Sequence, residues 1–547
     1  MTEVNGGRLA AMQLKQAGID TAFGVVAGPM IELMAGMQAE GIRVVNCRHE
    51  ESACFAASAW GYIKKKPGVV VAGSGPGMIN TVTGLHVATE SGMPLVVLGG
   101  SVDGRTRGLG GFQEADQVAF AKPGCKWTAQ VDSTERIPEM VHLALGKAVS
   151  GRPGGVYLDF PGQYVRRRID DSAAQLRDTA PDVSLPYPDP RLAEAIASML
   201  ATAKRPLVLV GKGAAWADAG AALTQLVALG VPYVASPMGR GVIPDDNAMC
   251  MNAARSSALA GADAVLMVGG RFNWIFQFGR APRFAPHVRL AQVDIVAEEM
   301  TSAANLELGM VADCAAGVGA IVLALAGRPL ASSGGGWVEA LRADATKNEA
   351  AISEQMSSDS TPINHYRLLR EIRDVLPRNA NVSVDAELTM AVARAVLPSY
   401  NPRSLLNSGT TGCMGTGVPY ALGAKLAMPH WPALAVIGDY AFGAAAMEVE
   451  TAARIGANVV FVVSNNGGIA GHSIQDRMFA ADSPPIAALL PVDYERMGEM
   501  VGGFSARVTD PAQIRPTLEK ALASDRVAVI NVITDPKGGQ RGSMYLG

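Results

Sequence analysis

The chain predicts an α/β protein of three domains, each built on a parallel sheet. Three observations carry that expectation. At about 150 residues per domain, a length of 547 residues implies three to four domains. Short apolar runs of strand length alternate with segments of helical period, the pattern of parallel strands covered on both faces. Glycine is abundant, at 61 residues, while aromatic residues make up only 5%, a balance that suits tight turns and close backbone approaches.

In chain order, 43–46, 69–72 and 94–98 read as buried strands, and 51–64 and 78–90 between them have helical period. A first unit covers 1–180. The Pro-rich stretch PDVSLPYPDP reads as a linker. A second unit spans 190–327, with a strand at 206–210, and the Gly/Ser-rich RPLASSGGG follows it. A third unit spans 360–534, with strands at 434–437, 459–463 and 527–533, and leaves a tail at 535–547. The first and third units repeat weakly. VVVAGSGPGMINTVTGLHVATESGMPLVVLGG and LAVIGDYAFGAAAMEVETAARIGANVVFVVSNN both run strand, Gly-bearing turn, helix, short Gly turn, strand.

Charge and composition narrow the function. The net charge of −3 gives no electrostatic footprint for nucleic acid. No apolar run approaches the ~20 residues of a membrane span, and the N-terminus lacks the apolar core of a signal peptide. Six cysteines without a CxxC pair are expected as free thiols in a reducing compartment, the cytoplasm. The seven histidines show no HxxxH spacing, which argues against zinc.

Gly438-Asp439 closes one predicted strand and Asn465-Asn466-Gly467-Gly468 closes the next, one βαβ crossover later. Both therefore fall at carboxyl ends of parallel strands, where such sheets bind ligands. A carboxylate, a side-chain amide and a backbone carbonyl are hard oxygen donors that suit Mg²⁺ or Ca²⁺ with a phosphate completing the shell. The amides of the following helix add a positive end for that phosphate. A helix N-cap at Asp439 and a turn at Asn465-Asn466 fit the same spacing equally well.

These residues lie in GDYAFGAAAMEVETAARIGANVVFVVSNNGG, which resembles the diphosphate-binding motif of thiamine-diphosphate (ThDP) enzymes. RHEESACFAASAWGY, PMGRG, GGRFNW and SGTTGCMGTG extend the resemblance over nearly the whole chain. It implies the ThDP-enzyme architecture of pyrimidine-binding, central and diphosphate-binding domains. Mg²⁺ would be held by Asp439, Asn466 and the carbonyl of Gly468, and the cofactor would be contacted by Glu50, Met414, Gly438, Tyr440, Ala441, Asn466 and Gly468. Tyr440 departs from the family, where Gly or Ser is usual. Glu50 would hydrogen-bond the aminopyrimidine ring and promote removal of the thiazolium C2 proton, with Glu51 facing away; a helix-capping carboxylate is the alternative role. In the family the glutamate and the metal site serving one cofactor come from different subunits, so a dimer at least, and a homotetramer, is expected.

LGGFQEADQVAFAKPGCKW, SGRPGGVYLDFP, GKGAAWADAG and the ending DPKGGQRGSMYLG resemble the 2-hydroxyacyl-CoA lyase and oxalyl-CoA decarboxylase branch. Phe112-Gln113, where decarboxylases carry Tyr-Glu, looks like the lyases and places these two residues at the reacting centre. GKGAAW lacks the third glycine of a dinucleotide fingerprint. The resemblance instead implies ADP as a regulatory ligand, with Arg152 and Lys212 at phosphates and Asp294 at a ribose hydroxyl; a vestigial pocket is the alternative. Arg255, Arg271 and Asn273 are candidates for the CoA moiety by family position. The tail 535–547 would close over bound acyl-CoA, or else be a frayed terminus. Ala470 follows NNGGI where decarboxylases carry Tyr, which opens space beside the reacting carbon, unless another side chain fills it. The resulting expectation is a ThDP- and Mg²⁺-dependent lyase that cleaves the C1–C2 bond of 2-hydroxyacyl-CoA, 2-hydroxyisobutyryl-CoA first, to formyl-CoA and a ketone or aldehyde. Oxalyl-CoA decarboxylase and an acetolactate-synthase-like carboligase are the alternatives. Nucleic acid and membrane are not expected partners.

Overall fold

A computed structural model describes residues 3–178, 184–301, 305–469 and 487–536. Its first strand, β1 (Glu3–Asn5), pairs antiparallel with β8 (Arg168–Asp170), tying the start of the chain to the end of its first third. Between them, β2 (Thr21–Gly24), β3 (Arg43–Asn46), β4 (Gly68–Ala72), β5 (Leu95–Ser101), β6 (Trp127–Gln130) and β7 (Gly155–Pro161) form a parallel sheet in the order β3-β2-β4-β5-β7-β6. The runs GVVVA and LVVLGGS of β4 and β5 are buried throughout, as strands covered on both faces must be. The middle third holds β9 (Pro206–Val210), β10 (Tyr233–Ala235), β11 (Ala264–Val268), β12 (Arg289–Asp294) and β13 (Leu306–Val311) in the order β10-β9-β11-β12-β13. The last third holds β14 (Asn381–Asp385), β15 (Leu405–Leu406), β16 (Ala433–Gly438), β17 (Val459–Asn465), β18 (Phe504–Val508) and β19 (Ala528–Ile533) in the order β15-β14-β16-β17-β19-β18.

The first and last of these sheets share one topology. In each, the second strand lies outside the first, the third and fourth step away on the other side, and the sixth precedes the fifth. The weak repeat in the sequence is therefore a repeat of the whole sheet. In each, the chain reverses direction between its first and third strands, and the crevice at that switch point is where open α/β sheets bind ligands.

Two expectations need correction. The segment 78–90 is two helices, Pro76–Ile79 and Val82–Ser91. The Thr81 hydroxyl donates to the Met78 carbonyl at 2.6 Å, a side-chain bond that competes with the helical ladder at the break. The stretch between the second and third units is not only a loop: Trp337–Met356 is a 20-residue helix. Trp337 and Leu341 pack into the core of the middle sheet, and Trp337 Nε1 donates to the Pro206 carbonyl at 3.0 Å. Ile352 and Met356, near its other end, pack against the last third.

The first and last thirds meet along two helices, Glu50–Lys64 and Gly417–Ala427. Phe55 and Tyr420 meet edge to face at 6.0 Å. A Cβ at Gly423 would stand 2.1 Å from the Ala56 carbonyl oxygen, so only glycine allows the helices this approach. Among the described residues no helix is long and apolar enough to cross a membrane.

Candidate active site

The end of β16 is level with the end of β17, Gly438 lying opposite Ser464. That register sets Asp439 beside the turn that follows Asn465. Asp439 is 1% exposed; its Oδ1 accepts the Tyr440 N–H and its Oδ2 the Gly467 N–H, each at 2.8 Å. Burial pushes its carboxyl above the ordinary range, opposed by those backbone bonds. Gly468 is confined from outside: a Cβ there would stand 2.1 Å from the Ala487 carbonyl oxygen. Asp439, Asn466, Gly468, Gly438, Tyr440 and Met414 all line one cleft of about 170 Å³. One carboxylate with neutral oxygen donors at the head of a strand pair fits a small divalent cation and a diphosphate.

Tyr440 is 41% exposed at the rim, so its ring finds room outward instead of filling the cleft. Ala441 is different. Its methyl group is fully buried in an apolar cluster with Ile437, Phe442 and Val463, and it does not line the cleft. The short helix turns that position inward. Ala386, which lines the cleft beside Gly438, holds φ 78° and ψ 145°, a conformation that L-residues rarely adopt.

Glu50 lies elsewhere in the chain. It is the first residue of the helix Glu50–Lys64, directly after β3. Its Oε2 accepts from Asn80 Nδ2 at 3.0 Å. The backbone before it is held by Glu448, a buried residue from the last third, whose Oε1 accepts the Arg48 and His49 N–H groups at 3.0 and 3.2 Å. Glu51 is half-buried and does not turn to solvent. Its N–H donates to His49 Nδ1 at 3.2 Å, and its charge adds to the burial that pushes the Cys413 thiol up to about 11. Gln113, at φ 57°, accepts from Ser74 Oγ at 2.8 Å, and Phe112 is 85% exposed on the same loop. Neither they nor Glu50 line the cleft around Asp439.

A second cavity, of about 670 Å³, opens between the first and middle thirds. Arg152, Lys212 and Asp294 all line it, and so do Arg271 and Asn273. The residues expected at a nucleotide and two of those expected at CoA are thus neighbours rather than separate sets. Arg152 and Arg271 share Glu299, at 3.0 and 3.3 Å. The Lys212 ammonium donates to the Gly92 carbonyl at 2.8 Å and sits 4.1 Å from the centre of the Tyr62 ring. Burial, then Arg152 and Arg271, push its pKa well down. Burial pushes the Asp294 carboxyl up to about 6. Asn273 caps the turn after it, accepting the Ile275 N–H at 3.1 Å. Arg255 is outside the cavity's lining. It donates to the Ile275 carbonyl at 3.0 Å and stacks 4.4 Å from the Phe276 ring, and burial, then Arg283 and Arg394, push it down to about 9. Ala470 and residues 537–547 of the tail lie outside the described residues.

Asn80, Glu448, Gln117 and Asp159 were not singled out from the sequence. Asn80 lies in one copy of the weak repeat, Glu448 in the diphosphate-binding stretch GDYAFGAAAMEVE, and Gln117 and Asp159 in LGGFQEADQVAFAKPGCKW and SGRPGGVYLDFP, which was the available signal.

Family models match three parts of the chain. The thiamine pyrophosphate enzyme N-terminal TPP binding domain matches 4–120, the central domain 193–321, and the C-terminal TPP binding domain 386–532. The 2-hydroxyacyl-CoA lyase of Arabidopsis thaliana is 36% identical over 98% of this chain and 96% of its own length. The oxalyl-CoA decarboxylase of Escherichia coli (strain K12) is 34% identical, again over 98% of this chain and 96% of its own length. The acetolactate synthase large subunit IlvG of Mycobacterium tuberculosis is 34% identical over 97% of this chain and 96% of its own length.

Proposed function

The chain belongs to the thiamine pyrophosphate enzyme family, and from that premise we propose that it is a carbon–carbon lyase acting on 2-hydroxyacyl-CoA thioesters. The observation that carries this reading is the pairing of an intact metal cradle, Asp439 with Asn466 and Gly468, with an oriented glutamate, Glu50 held by Asn80. A chain that merely bound the cofactor has no need of the second.

In this reading Asp439, Asn466 and the Gly468 carbonyl hold Mg²⁺, and the first amides of the helix Asp439–Ala445 face the diphosphate. Bound thiamine diphosphate supplies a C2 carbanion as nucleophile and an electron sink for cleavage of the C1–C2 bond. Glu50 holds a proton at the aminopyrimidine ring. Its separation from the Asp439 cleft supports a site completed by a second copy, and hence a dimer or a homotetramer. Met414, 42% exposed at the cleft, props the cofactor. Phe112 and Gln113 stand where the decarboxylases carry Tyr and Glu, and the pair looks like that of the lyases. This favours 2-hydroxyacyl groups over oxalyl, with 2-hydroxyisobutyryl-CoA, released as acetone and formyl-CoA, as first choice. The 670 Å³ cavity accepts an adenine nucleotide such as ADP, with Arg152 and Lys212 at phosphates and Asp294 at a ribose hydroxyl. Arg271, Asn273 and Arg255 serve the CoA moiety beside it. The tail 535–547 closes over the acyl-CoA, and the enzyme works in the cytoplasm.

Product analysis of the Mg²⁺- and ThDP-loaded enzyme with a panel of 2-hydroxyacyl-CoAs, oxalyl-CoA and pyruvate is the test. Formyl-CoA with acetone from 2-hydroxyisobutyryl-CoA is expected. Preferential CO₂ release from oxalyl-CoA, or acetolactate from pyruvate, would overturn the assignment in favour of the alternatives.

A further inference from the structure

Beneath Glu50 lies a buried polar assembly. Asp159 is 1% exposed and accepts from the Tyr157 hydroxyl at 2.6 Å, the Ser101 hydroxyl at 2.7 Å, the Gln117 amide at 2.9 Å and the Gln130 amide. Gln117, 3% exposed, also donates to the Gly100 carbonyl at 3.0 Å. Its Oε1 faces the other way and accepts the Gly75 N–H at 2.7 Å. Gly75, at φ 53°, begins the turn between β4 and the helix Pro76–Ile79; a Cβ on it would stand 2.5 Å from the Gln113 carbonyl oxygen.

Two hydrogen bonds and one close approach lead from that turn toward the chemistry. Ser74 Oγ donates to Gln113 Oε1 at 2.8 Å. Gly77 lies against Glu50, where a Cβ would meet Oε1 at 3.1 Å. Asn80 Nδ2 donates to Glu50 Oε2 at 3.0 Å. Gln113 and Glu50 come from different segments, and this one turn touches both. A fully satisfied buried network is rigid, and a carboxylate set against a fixed wall on one oxygen and a donor on the other has its direction fixed.

We propose that the turn 74–80 positions Glu50 and Gln113 as a single unit, with Asn80 orienting the Glu50 carboxylate and Gln117, anchored on Asp159, holding the turn. Asn80 and Gln117 are positioning residues. The inference rests on the reading of Glu50 as the proton relay.

The test uses full-length protein and four variants: Glu50→Gln, Asn80→Ala, Asn80→Asp and Gln117→Met. Four quantities are measured: the ThDP dissociation constant with Mg²⁺, the proton–deuterium exchange rate at the cofactor C2, the melting temperature, and, in ligand-free protein, amide exchange across 74–80. Asn80 is exposed, so its variants do not threaten folding. Both Asn80 variants are expected to lower C2 exchange by at least about tenfold while leaving the dissociation constant and melting temperature unchanged. Asparagine and aspartate share a shape, so a packing role would be rescued by Asn80→Asp and a donor role would not. Gln117→Met is expected to speed amide exchange across 74–80 and to slow C2 exchange. If Glu50→Gln itself keeps the parental C2 exchange, the relay reading falls and this inference with it. If Glu50→Gln loses exchange while Asn80→Asp keeps it, the inference alone is overturned.

Discussion

Asp294→Asn should stabilise the ligand-free protein at neutral pH. The Asp294 carboxyl is 7% exposed in the wall of the large cavity. Burial pushes it from an ordinary value of 3.8 up to about 6, Glu299 adding to the shift and the backbone N–H groups of Val296 and Ile295 and Arg152 opposing it. A carboxyl whose folded value is raised binds its proton more tightly in the folded state than in the unfolded one. Its contribution therefore favours folding below about 3.8, falls as pH rises through the window from 3.8 to about 6, and is wholly lost above it. At 1.36 kcal/mol per unit, the ionised group costs about 3 kcal/mol at pH 7. Asparagine keeps the acceptor for the Ile295 N–H, which Asp294 Oδ1 accepts at 2.8 Å, and removes the charge. Because a chain with three large sheets need not unfold in one step, the assay compares melting midpoints of parent and variant at each pH from 4 to 8. The variant should gain on its parent as pH rises through the window and match it at pH 4. A ribose hydroxyl donating to the ionised carboxylate would offset the same cost, so ADP should bind the parent more tightly above pH 6 than below it. Parallel pH profiles for parent and variant would refute the assignment of a buried, reluctantly ionised carboxylate.

Asp439→Ala should weaken ThDP·Mg²⁺ binding by more than about 100-fold, since it removes the cradle's carboxylate and takes from the Tyr440 N–H its acceptor, while the Gly467 N–H keeps Asn465 Oδ1 at 3.2 Å; calorimetric titration with unchanged affinity would place the metal elsewhere. Glu50→Gln should keep the fold and lose turnover by about 10²–10⁴-fold, and steady-state kinetics near the parental rate would sink the relay. Ala386→Gly relieves a backbone strain of about 1–3 kcal/mol at φ 78° and loses about 0.4–1 kcal/mol to the freer unfolded chain, so the melting temperature should rise; a fall would show that the strain is smaller than that loss. Ala470→Tyr should depress cleavage of branched 2-hydroxyacyl-CoAs more than linear ones, an extra methyl being worth about 1–3 kcal/mol in an apolar pocket, and equal losses in competition assays would count against a spacious site.

What could be read without coordinates was what local chemistry decides. The strand 43–46 was legible because Val44 and Val45 sit between polar neighbours and a turn, and β3 has those bounds. Asp439 and Asn466 were legible because two consecutive strand ends bring their residues together wherever the strands pair in parallel. The helix break at Asn80–Thr81 depends on one hydroxyl choosing a carbonyl, and nothing in the local pattern announces that. The helix Trp337–Met356 carries helix-favouring Ala and Glu, but it follows a Gly/Ser loop and buries only Trp337 and Leu341, so it shows little of the apolar stripe that marks a helix in sequence. Glu448 was illegible for a different reason: the N–H groups it accepts lie about 400 residues earlier in the chain. The merging of Arg271 and Asn273 with the nucleotide residues was equally hidden, since it depends on how the first and middle thirds dock.

The shared strand order of the first and last sheets has an evolutionary reading. Were the two sheets copies of one unit, each copy would bring its own crevice, giving two equivalent sites before either had a task. One holds hard oxygen donors, the other carboxylates at a helix end. A ligand with two unlike ends, one anionic and one a nitrogenous ring, is the kind of molecule that such divergence rewards. Neither copy could then be lost, because each had come to recognise only half of it.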